Sequence, residues 1–318
     1  MQRSFGEGDF LLGVRDDMRQ GALRFCDPDS GEFLAVDDEG VPSLLDLPRL
    51  LSAAERMERG KESDEELESL LRGGSSLGGA RPKAHVIDRS TGRLSIAKFP
   101  SPNDDWDVMR WEAVALELAR RAGIRVPHST VHLVDSKAVL LLDRFDRERT
   151  DRIPYMSAMT LLGADDGDNG SYLEIADAML SLSADTTEEI RELWRRVVFS
   201  CLISNFDDHL RNHGFLRRSS AGWSLSPAFD LNPTMGGGEL HTPIDGYDRT
   251  PSVELAMSVA DEFRLNGEAA RAVVGEVHDA VSTWREVASG QGLNKDAIEE
   301  MTPAFQHHAS REAAQIVS

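Results

Sequence analysis

Residues 203–215, "ISNFDDHLRNHGF", close an apolar run with two aspartates, two histidines, two asparagines and an arginine. Three chemistries compete for this stretch. His209 and His213 are four residues apart and would face one way on a helix, with Asp207 or Asp208 nearby, as zinc ligands do. Against that, no glutamate stands between the histidines and Gly214 would end the helix. Asp207 and Asn212 also reproduce the D-x-x-x-x-N interval of phosphoryl-transfer loops, in which the aspartate orients the accepting hydroxyl and the asparagine holds Mg2+. In the third reading Asp207, Asp208 and Arg211 solvate a helix end, and Asp230 is a turn residue before Pro233.

The flanking sequence supplies the frame. Upstream, "EEIRELWRRVVFSCLI" places Ile190, Leu193, Trp194, Val197, Val198, Cys201 and Leu202 on one helical stripe. Downstream, "HGFLR" and "GWSLS" read as two strands around a turn. Earlier, "RLSIAKF", "STVHLV" and "AVLLLDRF" read as strands of one mixed sheet. Between the first two of these runs, "VMRWEAVALELARRAGI" puts Val108, Trp111, Ala115, Leu118, Ala119 and Ala122 on one helix face, with Gly123 at its end. From Ser252 the chain reads as helical. This predicts an α+β chain with a sheet-rich N-lobe over residues 1–145 and a mainly helical C-lobe over 146–318.

Phosphoryl transfer needs a cation on the phosphates, a carboxylate to position it, a backbone cradle and a second metal-binding acid. Each has a counterpart, in order. The glycine-broken run "GGSSLGGARPK" has amides suited to phosphates, although it contains no Walker "GK" followed by Ser or Thr. Lys98 lies on a predicted strand and Glu112 one turn into the next helix. After Asn212 and the two-strand hairpin comes Asp230, in "SPAFDLNP". Any one of these residues has a bland reading; the ordered set favours transfer chemistry.

The chain has 318 residues, is 40% hydrophobic and carries a net charge of −20, from 35 basic and 55 acidic side chains. Such a charge opposes direct contact with nucleic acid or anionic lipid. The start of the sequence lacks the apolar core of a signal peptide and no run approaches a membrane span, so the cytoplasm is the expected location. Cys26 and Cys201 are far apart in sequence, without metal-site spacing, and both are expected to be buried thiols.

Together "GGARPKAHV", "IAKFPS", "DRFDR", "NFDDHLRNHGF" and "LSPAFDLNP" resemble the motifs of HipA-family toxin kinases, in that family's order. The resemblance implies a two-lobed protein-kinase-like fold with ATP and Mg2+ as cofactors. It implies a proton-accepting role for Asp207, metal contacts for Asn212 and Asp230, and phosphate contacts for Lys98, with Glu112 as the lysine's partner. Asp143, Arg144 and Phe145 match the hinge that meets adenine. Gly78, Gly79, Ala80, Arg81, Pro82 and Lys83 match the phosphate loop, and His209 and Arg211 match further nucleotide-contacting positions.

Ser76, or Ser75 beside it, matches the autophosphorylated serine that switches the kinase off. The family further implies a protein substrate, which in some relatives is an aminoacyl-tRNA synthetase, and a helix-turn-helix antitoxin partner. The chain resembles the short, HipT-like form, in which a separate small protein supplies the N-terminal subdomain. Three positions depart from the family pattern: Phe206, Asp143 and Asp208. The last is expected to add negative charge beside ATP, which keeps open the alternative of a weak or inactive pseudokinase acting as a binding module.

Overall fold

The computed structural model describes residues 8, 11–12, 14–36, 40–60, 81–149, 151–165, 167, 170–182 and 186–318. The chain divides into two units, Met1–Met109 with His128–Pro154, and Arg110–Pro127 with Tyr155–Ser318.

The first unit is built on helix α1 (Leu47–Glu58) and a four-stranded antiparallel sheet of β1 (Lys83–Asp88), β2 (Arg93–Lys98), β3 (Ser129–Val134) and β4 (Lys137–Asp143), in the order β1-β2-β4-β3. Side chains alternate across the pleat. Ala84, Val86, Ala97, Phe99, Val139 and Leu141 therefore share one face, which packs with Leu47, Leu50, Leu51, Ala53 and Ala54 of α1. On β1 and β2 the other face carries Lys83, His85, Ile87, Leu94, Ile96 and Lys98, all partly exposed. Lys83 and Lys98 are direct cross-strand partners at one end of that face.

Where β4 ends, the N-terminal residues are tied to the chain by a buried ionic network. Arg144 bonds Asp146 and the carbonyls of Met18 and Arg19, and Arg147 bonds Asp146 and the carbonyls of Gly21 and Arg19. Gly21 N–H donates to the Asp146 carboxylate at 2.7 Å. Cys26, expected to be buried, is instead exposed: it forms only an isolated bridge with Phe33 rather than part of a sheet.

Helix α2 (Val108–Arg121) buries all six predicted face residues and ends at Gly123, whose φ of +76° is the left-handed conformation a helix terminus favours. The short antiparallel pair β5 (Arg147–Glu148) and β6 (Asp151–Arg152) belongs to the first unit, and the second resumes at Tyr155. It contains α3 (Ala158–Leu162), α4 (Tyr172–Met179) and α5 (Thr186–Leu202), and a sheet of β7 (Tyr155–Ser157), β8 (Gly214–Ser219) and β9 (Gly222–Leu225) in sequential order. Helices from α6 (Val253–Ser258) to the end complete it, with Trp194 of α5 donating its indole N–H to the Ala256 carbonyl at 2.9 Å. The predicted stripe of α5 is buried throughout. A sheet-containing part and a mainly helical part are thus present as the sequence led us to expect, although the four-stranded sheet is antiparallel throughout rather than mixed.

Candidate active site

Helix α5 stops at Leu202 because Ser204 turns left-handed, with φ +54°. Asn205 N–H then bonds back to the Ser200 carbonyl at 3.0 Å, a Schellman-type closure with serine where glycine is usual. The chain crosses into a 3-10 turn, Leu210–Asn212, and enters β8. His209 and His213 therefore do not share a helical face. His209 faces the His241 ring at 5.7 Å, while His213 sits edge-on to Tyr172 at 5.4 Å. The zinc reading loses its geometry, and no group of three or more His, Cys, Asp or Glu that could hold a metal occurs among the described residues.

Asp207 is exposed and its neighbours are pinned. Asn212, buried, donates its amide Nδ2 to the Asp207 carbonyl at 3.0 Å, which leaves Oδ1 as the ligand-type atom of that side chain. His209 N–H bonds the same carbonyl, and Asn212 N–H closes the turn on His209 at 2.8 Å. From the segment after β9, His241 N–H bonds Phe206 O at 2.8 Å and Thr242 Oγ1 bonds Asp208 O at 2.6 Å. A Cβ on Gly238 would meet the Phe206 ring at 3.0 Å, so glycine lets that strand of chain lie against the loop.

Asp208 corrects the expectation of extra charge beside ATP. It is 4% exposed and turned inward. Its carboxylate accepts the Tyr172 hydroxyl at 2.5 Å and the Ser200 hydroxyl at 3.1 Å, and His213 Nε2 lies 3.1 Å away, within ion-pair distance but off the line of a hydrogen bond. Burial alone would raise this carboxyl. The attraction of His213 and the donors around it outweigh burial and hold it below the ordinary carboxylate value. Burial and the adjacent Asp208 charge push the Tyr172 phenol well above its ordinary value, so it remains a donor.

Asp230 adopts φ +60°, a conformation uncommon for a residue with a side chain. Two asparagines brace it. Asn232 donates its amide to Asp230 Oδ1 at 3.1 Å, and its own N–H donates to Asn205 Oδ1 at 3.1 Å. Asn205, fully buried, thereby links the Asp207 loop to the Asp230 segment. These oxygen donors, Asn212 Oδ1 and a partly exposed Asp230 carboxylate, fit a hard cation such as Mg2+. Asn205, Tyr172, Ser200 and Thr242 carry no motif signal of their own; only Asn205 lies within the decisive stretch.

In the first unit Lys98 ends β2 and Lys83 opens β1. Arg81 pairs with Asp104, and Pro82 O accepts Phe99 N–H at 3.2 Å. Asp143 accepts the Ser95 hydroxyl at 3.1 Å and Arg93 at 3.3 Å; the Arg144 side chain is spent on Asp146 and the N-terminal carbonyls. Phe145 follows in the turn after β4. Glu112 is buried within α2, and Arg211 is exposed on the 3-10 turn. Ser75, Ser76, Gly78, Gly79 and Ala80 lie outside the described residues.

The antiparallel four-stranded sheet and the helical unit with its Asp207 loop define a kinase-like fold. It is shared with the Helicobacter pylori proinflammatory kinase CtkA, at a TM-score of 0.58 and 14% identity over 74% of this chain and 94% of that one. HipA of Shewanella oneidensis MR-1, solved with HipB and operator DNA, superimposes at a TM-score of 0.56 and 16% identity over 76% of this chain and 63% of that one. Residues 75–284 match the family of the HipA-like C-terminal domain, and the chain belongs to that family. Among curated relatives, Escherichia coli toxin YjjJ is 27% identical over 170 residues, half of this chain and 38% of its own. A Haemophilus influenzae protein is 24% identical over 179 residues, half of this chain and 52% of its own. The matched stretch thus spans about half or less of these two relatives.

Proposed function

We propose that the chain is an ATP-dependent serine/threonine protein kinase acting as the toxin of a toxin–antitoxin pair. The observation that carries this reading is the loop in which Asp207 is exposed while Asn212, His209 and Thr242 hold its backbone. In this reading Asp207 orients the substrate hydroxyl and takes its proton. Lys98 and Lys83 supply positive charge for phosphates, with Glu112 assigned as the partner of Lys98. Asn212 and Asp230 hold Mg2+, and the backbone of Asp143 to Phe145 is assigned to the adenine. Bound ATP with Mg2+ supplies the transferable phosphoryl group; the protein contributes positioning and electrostatic stabilisation.

Replacing Asp207 by Asn is expected to abolish label transfer from γ-labelled ATP while sparing ATP binding. Persistent labelling by that variant would overturn the assignment. Binding is checked by thermal shift with ATP and Mg2+, a gain that Asp230→Ala should lose. Nucleotide binding by the wild type without any transfer would leave the binding-module alternative standing instead.

The family supports an antitoxin partner with a helix-turn-helix. The exposed apolar side chains of Leu11, Leu12, Val14, Leu23 and Val36 support a further small protein that covers the N-terminal segment. Phosphosite mapping after brief expression identifies the protein substrate, an aminoacyl-tRNA synthetase being one candidate, and shows whether Ser75 or Ser76 is modified.

A further inference from the structure

We propose that a cavity of about 330 Å3 at the hairpin end of the first unit's sheet binds a phosphate-type oxyanion. In a chain of net charge −20, four of its eight lining residues are arginines, Arg93, Arg144, Arg147 and Arg149, and its one acidic lining residue is Asp143. That carboxylate is already engaged by Arg93 and Ser95.

Among the lining arginines and the groups near them the ion pairing is unequal. Asp146 is shared by Arg144 at 2.6 Å and Arg147 at 2.9 Å, and Asp16 is shared by Arg24 and Arg152. Each carboxylate therefore serves two guanidiniums, and positive charge is left over. Arg147 registers the crowding: burial first, and then the charge of Arg144, pull it down to about 10 against the attraction of Asp146. Arg149 is exposed after β5 and makes no hydrogen bond or ion pair among the described residues. A guanidinium fork beside surplus positive charge is the group that recognises tetrahedral oxyanions, through paired charge-assisted hydrogen bonds.

This place differs from the one assigned to nucleotide phosphates. Arg93 and Lys98 stand at opposite ends of the six-residue β2, about 17 Å of strand apart. Alternation also sends Arg93 and its neighbour Asp143 off the sheet on the face opposite Lys98. The inference does not depend on kinase activity.

The test titrates the full chain with inorganic phosphate at constant ionic strength, by calorimetry, in parallel with O-phosphoserine. The wild type should bind saturably. Arg149→Ala and Arg93→Ala, both changes at exposed side chains, should each weaken binding by about tenfold, the worth of one hydrogen bond to a charged group. Asp230→Ala should bind phosphate as the wild type does, so loss of the nucleotide reading would leave this result intact. Tighter binding of O-phosphoserine assigns the site to an esterified phosphate, and equal or weaker binding assigns it to free phosphate. Absence of saturable binding to the wild type overturns the proposal. So does binding undiminished in the Arg93→Ala/Arg149→Ala double variant.

Discussion

Two carboxylates lie buried beside candidate functional residues, one in each unit, and they are kept ionised in different ways. Asp146, 2% exposed, follows the hinge candidates and is held by two guanidiniums and the Gly21 amide. Asp208, 4% exposed, adjoins Asp207 and is held by one imidazole and two hydroxyls. In both, burial works against ionisation and the partners outweigh it, so both carboxyls sit below their ordinary value. The partners of Asp146 carry permanent charge, whereas most of those of Asp208 are neutral donors. The first arrangement ties the N-terminal segment to the end of β4. The second fixes the backbone on which Asp207 stands without placing another full charge at the surface.

The largest effect is expected of Asp146→Ala, which leaves the buried Arg144 and the partly buried Arg147 without the carboxylate they share. A loss of about 3–5 kcal/mol is expected, the usual cost of removing one partner from a buried ion pair. It would be read from a lower urea midpoint at unchanged slope. A loss under about 1 kcal/mol would mean that the carbonyls of Met18, Arg19 and Gly21 suffice for the two guanidiniums.

Asp208→Asn should cost less, about 2 kcal/mol, because the amide oxygen still accepts from Tyr172 and Ser200. Its pH dependence is diagnostic. The folded value of Asp208 lies below the unfolded one, so the stabilisation is complete above about pH 4 and is lost as pH falls through the folded value. The gap between wild type and variant should therefore close as pH falls below about 4. A gap that widens toward low pH would contradict a depressed carboxyl. Tyr172→Phe isolates one of the hydroxyls; it keeps the ring edge against His213 and should cost about 1–2 kcal/mol by the same unfolding measurement.

The comparison also explains what was legible in the sequence. Helices α2 and α5 could be read because burial imposes a 3.6-residue period, and every predicted stripe residue is inside. The order of candidate site residues could be read because Lys98, Glu112, Asp207, Asn212 and Asp230 carry spacing. Asp208 was misplaced because its orientation is decided by Tyr172, 36 residues upstream, and by Ser200 one helical terminus away. Asp146 went unread because its network is closed by Met18, Arg19 and Gly21, about 125 residues upstream, which no local pattern joins to it. Tertiary partners leave no local pattern, and a buried acid looks in sequence like an exposed one.

The smallest effect tests whether burial, rather than pairing, gives these carboxylates their weight. Arg121 and Glu286 form an ion pair at 3.2 Å, comparable in reach to the pairs at Asp146 and Asp208, yet the Glu286 side chain is 72% exposed. In water the carboxylate recovers its hydration when the pair opens, salt screens the attraction, and holding two long side chains together costs conformational entropy. Glu286→Gln should accordingly change stability by no more than about 0.5 kcal/mol, measured under the same conditions as the other variants. A loss matching that of Asp146→Ala would show that charge pairing alone sets the scale. A near-neutral result places the difference in what surrounds the carboxylate, since only a buried acid leaves its former partners uncompensated when it is removed.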